Sequence, residues 1–239
     1  MRRSHPRRRP LAGRATQTRG FRDVAAALRR GELVYDRVFD DVFPFAIRRA
    51  SSVHWTPVEV AVRGAQLLTQ GVTNPVLLDV GAGVGKFCTI AAASARATVH
   101  GVEHRKHFVE IARQAAEKLG VEVEFTHGTI VDHVLSEVTG VYLFNPFAEN
   151  LASRADHLDD SVELSEDAYW RSVCAVERFL DRANEGTRVV TYCGWGGAMP
   201  ASYELVLRER RAGTIELWKK TRPPYSGSRH ALASSTERR

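Results

Sequence analysis

Leu77-Leu78-Asp79-Val80-Gly81-Ala82-Gly83-Val84-Gly85-Lys86 decides how the rest of the chain is read. An apolar run rich in β-formers, Val76 to Val80, meets three glycines at alternate positions, and a small-residue stretch from Phe87 to Ala97 follows. That order predicts a strand, a tight turn and the start of a helix. Glycine is needed where the backbone takes positive φ or where a ligand comes close to it. The N–H groups in the first turn of the new helix lack intrahelical acceptors and are expected to point at such a ligand.

Three nucleotide-site patterns compete for this stretch. A phosphate-binding loop of the form G-x-x-x-x-G-K-[ST] fails, because Val80 stands where the first Gly belongs and Phe87 replaces the Ser or Thr that would hold magnesium. The dinucleotide pattern G-x-G-x-x-G fails at its third glycine, whose place Lys86 holds. The pattern D-x-G-x-G-x-G fits without a gap, from Asp79 to Gly85.

Downstream, strand and helix patterns alternate. Strands are predicted over Thr98–Val102, Val121–Thr126, Val141–Phe144 and Arg188–Cys193, and helices over 105–119 and 164–183. Tyr203–Arg208 and Thr214–Lys219, joined at Arg211-Ala212-Gly213, read as a hairpin. Repeated βα units with such an ending predict an α/β fold: a doubly wound, mostly parallel sheet with a C-terminal antiparallel hairpin. Upstream, Thr56-Pro57-Val58-Glu59 has the form of a capping box, with Thr56 as N-cap of a helix running to about Gln70. Residues 21–50 read as one or two further helices interrupted by Pro44, able to cover the mouth of a site or simply to pack on the domain. His54 and Trp55 read as an aromatic staple against the helix that follows, with a place in a pocket wall as the other option. The expected organisation is a basic tail (1–20), a helical N-terminal extension (21–55), a main domain (56–220) and a second tail (221–239).

In an open α/β sheet, ligands bind outside the carboxyl ends of the strands. The unusual residues of this chain fall at those ends: Asp79 to Gly85, Glu103, Gly128-Thr129 and Asn145-Pro146-Phe147. With this set in view, the chain resembles class I S-adenosylmethionine-dependent methyltransferases over about residues 56–220. The resemblance implies that S-adenosylmethionine is the cofactor, that Gly81, Gly83 and Gly85 let the backbone approach its methionine part, and that Asp79 acts near its amino group. It implies that Glu103 accepts hydrogen bonds from both ribose hydroxyls, for which a carboxylate is suited because it only accepts. Where the family often has an acid or amide that reads adenine, this chain has Thr129, with Asp132 as a substitute. Asn145-Pro146-Phe147 resembles the N-P-P-[YF] motif of amino-methyltransferases with one proline missing. By that resemblance these three are the catalytic residues, aiming an acceptor nitrogen at the methyl group, and Pro146 is expected to hold Asn145 extended. The wider set of Asp79–Gly85, Gly101-Val102-Glu103 and Asn145–Ala148 is also similar to the telomeric-silencing histone lysine methyltransferases.

Charge is unevenly spread. Of the net +6, residues 1–22 carry +8 and residues 219–239 carry +5, which leaves −7 on residues 23–218. A solvated, disordered extension is the preferred reading of the N-terminal tail, and contact with nucleic acid is the other. Cys88, Cys174 and Cys193 lack metal-ligand spacing and read as reduced thiols of a cytoplasmic protein. The nine histidines form no paired zinc motif, so no metal is expected, and no apolar run reaches membrane-spanning length. Two other functions stay open: a nucleotide-linked oxidoreductase, and a non-catalytic module that binds S-adenosylmethionine. The acceptor, whether protein, nucleic acid or small molecule, is not named by the sequence.

Overall fold

The computed structural model describes residues 20–132, 137–154 and 157–222. Apart from Gly20, Thr221 and Arg222, both proposed tails lie outside the described residues. Seven strands, β1 (Val76–Val80), β2 (Thr98–Glu103), β3 (Glu124–His127), β4 (Gly140–Leu143), β5 (Arg188–Tyr192), β6 (Tyr203–Arg210) and β7 (Thr214–Lys220), form one sheet in the order β3-β2-β1-β4-β5-β7-β6. The first five run parallel, and β7 is antiparallel to both β5 and β6. The chain therefore reverses its direction of sheet growth between β1 and β4, where a doubly wound sheet opens its crevice.

Alternation along the strands builds two core layers. Leu77 and Tyr142 face one side, packed with α4 (Val58–Thr69), α5 (Lys86–Ser94) and α6 (Lys106–Leu119). Leu78, Val80 and Val141 face the other, packed with α7 (Glu166–Arg182). The residues Phe108, Ala112, Ala115 and Leu119 of α6 are all buried, as their helical spacing predicts. Gly120, at φ 66°, ends α6, and the Val121 N–H turns back to the carbonyl of Ala116. That bond delays β3 to Glu124, three residues later than the sequence pattern suggests.

The extension before residue 56 folds as α1 (Phe21–Arg29), α2 (Asp36–Phe39) running into a 3-10 turn at Asp40–Val42, and α3 (Phe45–His54) after Pro44. Val24, Ala25, Ala27 and Leu28 of α1 are buried with the α5–α6 layer, whereas Leu33 is exposed despite its apolar character. The Thr56 cap is not formed. The Thr56 hydroxyl instead meets the Tyr142 hydroxyl at 3.0 Å in the interior, and the N-cap position of α4 is Pro57. The free N–H of Val58 donates to the Asp36 carboxylate, 3.0 Å away, so the cap comes from a different element.

Candidate active site

The carboxyl ends of β1, β2 and β4 open onto a cleft of about 500 Å³, lined by Gly81, Gly83, Glu103, Thr129, Asn145, Pro146 and Phe147 among others. The size is in the range of small-molecule and cofactor sites. Seven of the nine sequence-predicted site residues thus meet in one cavity. The other two do not reach it. Asp79 lies beneath, against a smaller void of about 30 Å³ that it shares with His54, Thr56, Lys86 and Tyr142. Gly85 faces the domain interior, where a Cβ would come within 2.6 Å of Phe125 and 2.8 Å of Ala112.

The glycine turn is fixed by β2. The N–H groups of Gly81 and Ala82 donate to the Val102 carbonyl at 3.0 and 2.9 Å, and the Gly83 N–H donates to Glu103 Oε2 at 2.8 Å. These three donors are therefore engaged by protein and not by a ligand. Gly83 has φ 55°, and a Cβ there would strike the Trp55 ring at 2.6 Å, so this position requires glycine on two counts. Trp55 is a wall of the cleft and stands edge-on to Phe108 with centroids 5.6 Å apart. The pocket-wall option for Trp55 is the one realised.

Glu103 is 6% exposed and accepts from two backbone N–H groups, Gly83 on Oε2 and Arg105 on Oε1, the latter at 2.8 Å. A carboxylate has about four acceptor sites, so two remain for a vicinal diol. The Asp79 carboxyl is fully buried and receives the Cys88 thiol proton at 3.3 Å. Burial, helped by the nearby Glu103 charge and opposed by the Cys88 hydrogen bond, pushes it up to about 7.

Asn145 adopts φ 44°, not the extended form that Pro146 was expected to impose. The Asn145 N–H donates to the Gly194 carbonyl at 3.1 Å and its carbonyl accepts from the Ala148 N–H at 3.2 Å. Asn is one of the few non-glycine residues for which the left-handed region is accessible. Its exposed side-chain amide has no hydrogen-bond partner among the described residues. Pro146 packs over Gly81, where a Cβ would come within 2.8 Å of the proline ring. Phe147 lines the cleft and packs its other side on the α7 layer. The side chain of Asp132 lies outside the described residues.

Two polar centres around the cleft are missed by motif reading. Lys86, almost fully buried at the start of α5, lies 2.6 Å from Asp36 and 2.7 Å from Asp40, which ties the N-terminal extension to the glycine turn. A cation at a helix N-terminus opposes the helix dipole, so these carboxylates compensate both burial and dipole. Arg105, 3% exposed in its side chain, donates to Glu149 at 2.8 Å, to Asp159 at 3.2 Å and to the His104 ring at 2.9 Å. Its only sequence signal was its position two residues after Glu103.

Residues 73–140 match a family model described as a methyltransferase domain. That segment contains the glycine turn, Glu103 and Thr129. Residues 73–140 therefore match a methyltransferase domain, and the sheet around them has the fold of class I S-adenosylmethionine-dependent methyltransferases. No curated protein matches the chain. Among solved structures it is similar to an RNA methyltransferase from Salinibacter ruber in complex with S-adenosyl-L-homocysteine, with 23% identity, TM-score 0.51, and coverage of 70% of this chain and 93% of that one. It is also similar to TrmN from Thermus thermophilus, with 18% identity, TM-score 0.51, and coverage of 72% of this chain and 51% of that one. These likenesses are of fold. No helix among the described residues is long and apolar enough to cross a membrane.

Proposed function

We propose that this chain is a methyltransferase that transfers the methyl group of S-adenosylmethionine to a nitrogen, and that the observation carrying this reading is the unpartnered Asn145 amide at the lip of the cleft. An asparagine held at φ 44° and left without a side-chain partner is a strained, uncommitted group, the kind that collects at functional sites. In this reading the Asn145 side-chain oxygen accepts an N–H of the acceptor, Pro146 fixes the turn, and the Phe147 ring supports a planar or cationic group. The cofactor supplies an already activated methyl group on a sulfonium. The chain contributes alignment: Glu103 accepts from the ribose hydroxyls, Asp79 takes the cofactor ammonium, directly or through a water in the small void, and Gly81 and Gly83 keep the turn low enough to admit the cofactor. Gly85 serves by letting α6 and β3 close against the turn. Thr129 lies where the adenine would be read. Residues 56–220 are the catalytic domain in this reading, 21–55 cover it, and the two tails stand outside.

The acceptor side of the cleft suggests something about charge. Between Asn145 and Asp167 the sequence has seven acids and a single arginine. Such a lip favours a cationic or neutral amine over a phosphate-rich surface. The basic tails favour nucleic acid instead, and the RNA substrate of the Salinibacter neighbour is the second reading they support. The deciding experiment offers poly-L-lysine and total RNA to the protein with isotopically labelled S-adenosylmethionine and locates the methyl by mass spectrometry. Methyl on nitrogen is expected; methyl on carbon or oxygen overturns the reading.

A further inference from the structure

The segment that follows Asn145 crosses the cleft with little regular structure of its own. Its described part contains a 3-10 turn, Ala148–Leu151, and then no helix until Glu166. Glu149, Asn150 and Leu158 from this segment form a wall of the cleft. Leu158 packs on the core and Leu151 is exposed, and polar bonds add to that anchoring. Three of these converge. Glu149 Oε1 accepts from the Leu158 N–H at 2.6 Å and from Arg105 Nη2 at 2.8 Å. Asp159 Oδ1 accepts from the Ser161 N–H at 2.8 Å and from Arg105 Nε at 3.2 Å. Asp159 Oδ2 faces His107 Nε2 at 3.1 Å. An arginine side chain only donates, so the His104 Nε2 beside Arg105 Nη1 is the acceptor of that pair.

We propose that Arg105 is a positioning residue that holds the wall made by residues 148–154 and 157–161 across the cleft, its guanidinium binding Glu149 and Asp159 while its own backbone N–H binds Glu103. The two ends of this connection are chemically separate. Glu103 is held through the main-chain N–H, which any substitution except proline preserves, and the wall is held through the side chain, which a substitution removes. The planar fork of arginine reaches two carboxylates at once, where a lysine ammonium engages them as a point charge. Phe108 lies under the guanidinium, 5.5 Å from ring centroid to Cζ, and fixes its plane. Burial alone would raise the Asp159 carboxyl, but bonds from Ser161 and then Arg105 bring it down to about 2, so it stays charged throughout the working range.

This assignment rests on the cofactor reading for the meaning of the wall, and its test does not depend on cofactor binding. Arg154 lies within the segment with its side chain 85% exposed, which provides a tryptic site. Without cofactor, Arg105→Gln is expected to speed cleavage after Arg154 by at least ~10-fold, because proteolysis reports the population of the open segment. Glu149→Gln/Asp159→Asn should do the same, the triple variant should add nothing further, and Arg105→Lys should restore part of the protection. Affinity for S-adenosylhomocysteine, read by calorimetry, should stay within ~3-fold, well under the effect expected for loss of a ribose contact. Unchanged cleavage in Arg105→Gln, or additive effects in the triple variant, overturns the proposal. Where Arg105→Gln fails to fold, the Glu149/Asp159 pair decides alone. A wild-type protein that binds no S-adenosylhomocysteine refutes the cofactor reading and leaves the cleavage result standing.

Discussion

The two halves of the cleft are built by different means. The half at the ends of β1 and β2 is held by backbone N–H groups that all donate to the end of β2: Gly81 and Ala82 to the Val102 carbonyl, Gly83 and Arg105 to the Glu103 carboxylate. The half beyond the end of β4 depends on side chains that reach over long sequence distances, Glu149 and Asp159 to Arg105, with one main-chain bond from the Asn145 N–H to the Gly194 carbonyl. A site half built from local backbone geometry is stiff and its residues serve the fold as well as the ligand. A site half built from side chains can vary in what it accepts without disturbing the sheet.

The largest expected effect tests the dual role on the β2 side. Glu103→Ala removes the diol acceptor and orphans the N–H groups of Gly83 and Arg105, so binding and stability should fall together. Calorimetry should show S-adenosylhomocysteine weakened by about 1.5–3 kcal/mol, with a lower Tm in the absence of ligand, since a buried unsatisfied donor costs about 1–3 kcal/mol. A variant that loses affinity with no change in Tm would show the two halves to be more alike than described.

Next in size is the other half. Asn145→Ala should lower kcat and kcat/KM together by at least ~10-fold, about 1.4 kcal/mol. Cofactor affinity should hardly move, because this side chain is exposed and bonds nothing else, while Tm should fall modestly because alanine tolerates φ 44° less well than asparagine. Steady-state kinetics on whichever acceptor is methylated provide the check, and a normal kcat would reduce Asn145 to a turn residue.

Titration should be felt at Asp79, on the β1 side. With the Asp79 carboxyl near 7, S-adenosylhomocysteine affinity should rise about 10-fold between pH 6 and pH 8 as the carboxylate that takes the ammonium becomes populated. Stability has the opposite sign. The folded state holds a proton that the unfolded chain releases near the ordinary carboxylate value, so this group makes the fold less stable as pH rises from about 4 to about 7. Asp79→Asn should accordingly raise Tm at pH 8, lose cofactor affinity and flatten its pH dependence, as seen by calorimetry and thermal melts across that range. The smallest effect is expected outside both halves. Deleting residues 1–20 should leave Tm within ~1 °C and cofactor affinity within ~2-fold, while abolishing any salt-dependent RNA binding.

What could be read from the sequence follows the same division. Asp79 to Gly85 and Glu103 announce themselves because a strand, a turn and the next strand end are specified by spacing alone. The mostly parallel sheet with a terminal antiparallel hairpin follows too, since repeated βα units leave few topologies. The opposite wall was out of reach. Arg105 meets partners 44 and 54 residues away, and no local pattern encodes such a pairing. Thr56 looked like a cap because its neighbours fit one, but a buried tyrosine hydroxyl competed for it, and Asp36, 22 residues before Val58, capped the helix instead. Pro146 disfavours a helical predecessor, and this rule led to an extended Asn145; the Gly194 carbonyl and the Ala148 N–H hold it left-handed.

The place of β7 has a consequence for how the protein is made. The chain lays down β5, then β6, then β7, yet β7 inserts between the other two. Until residues 214–220 have left the ribosome, Val189, Val190 and Thr191 present an open edge, and β6 has no neighbour to join. A nascent chain stalled before Thr214 would thus expose the edge of a hydrophobic strand, which invites pairing with any other extended segment. The parallel half of the sheet can assemble early, but protection of that edge waits for β7 to be synthesised.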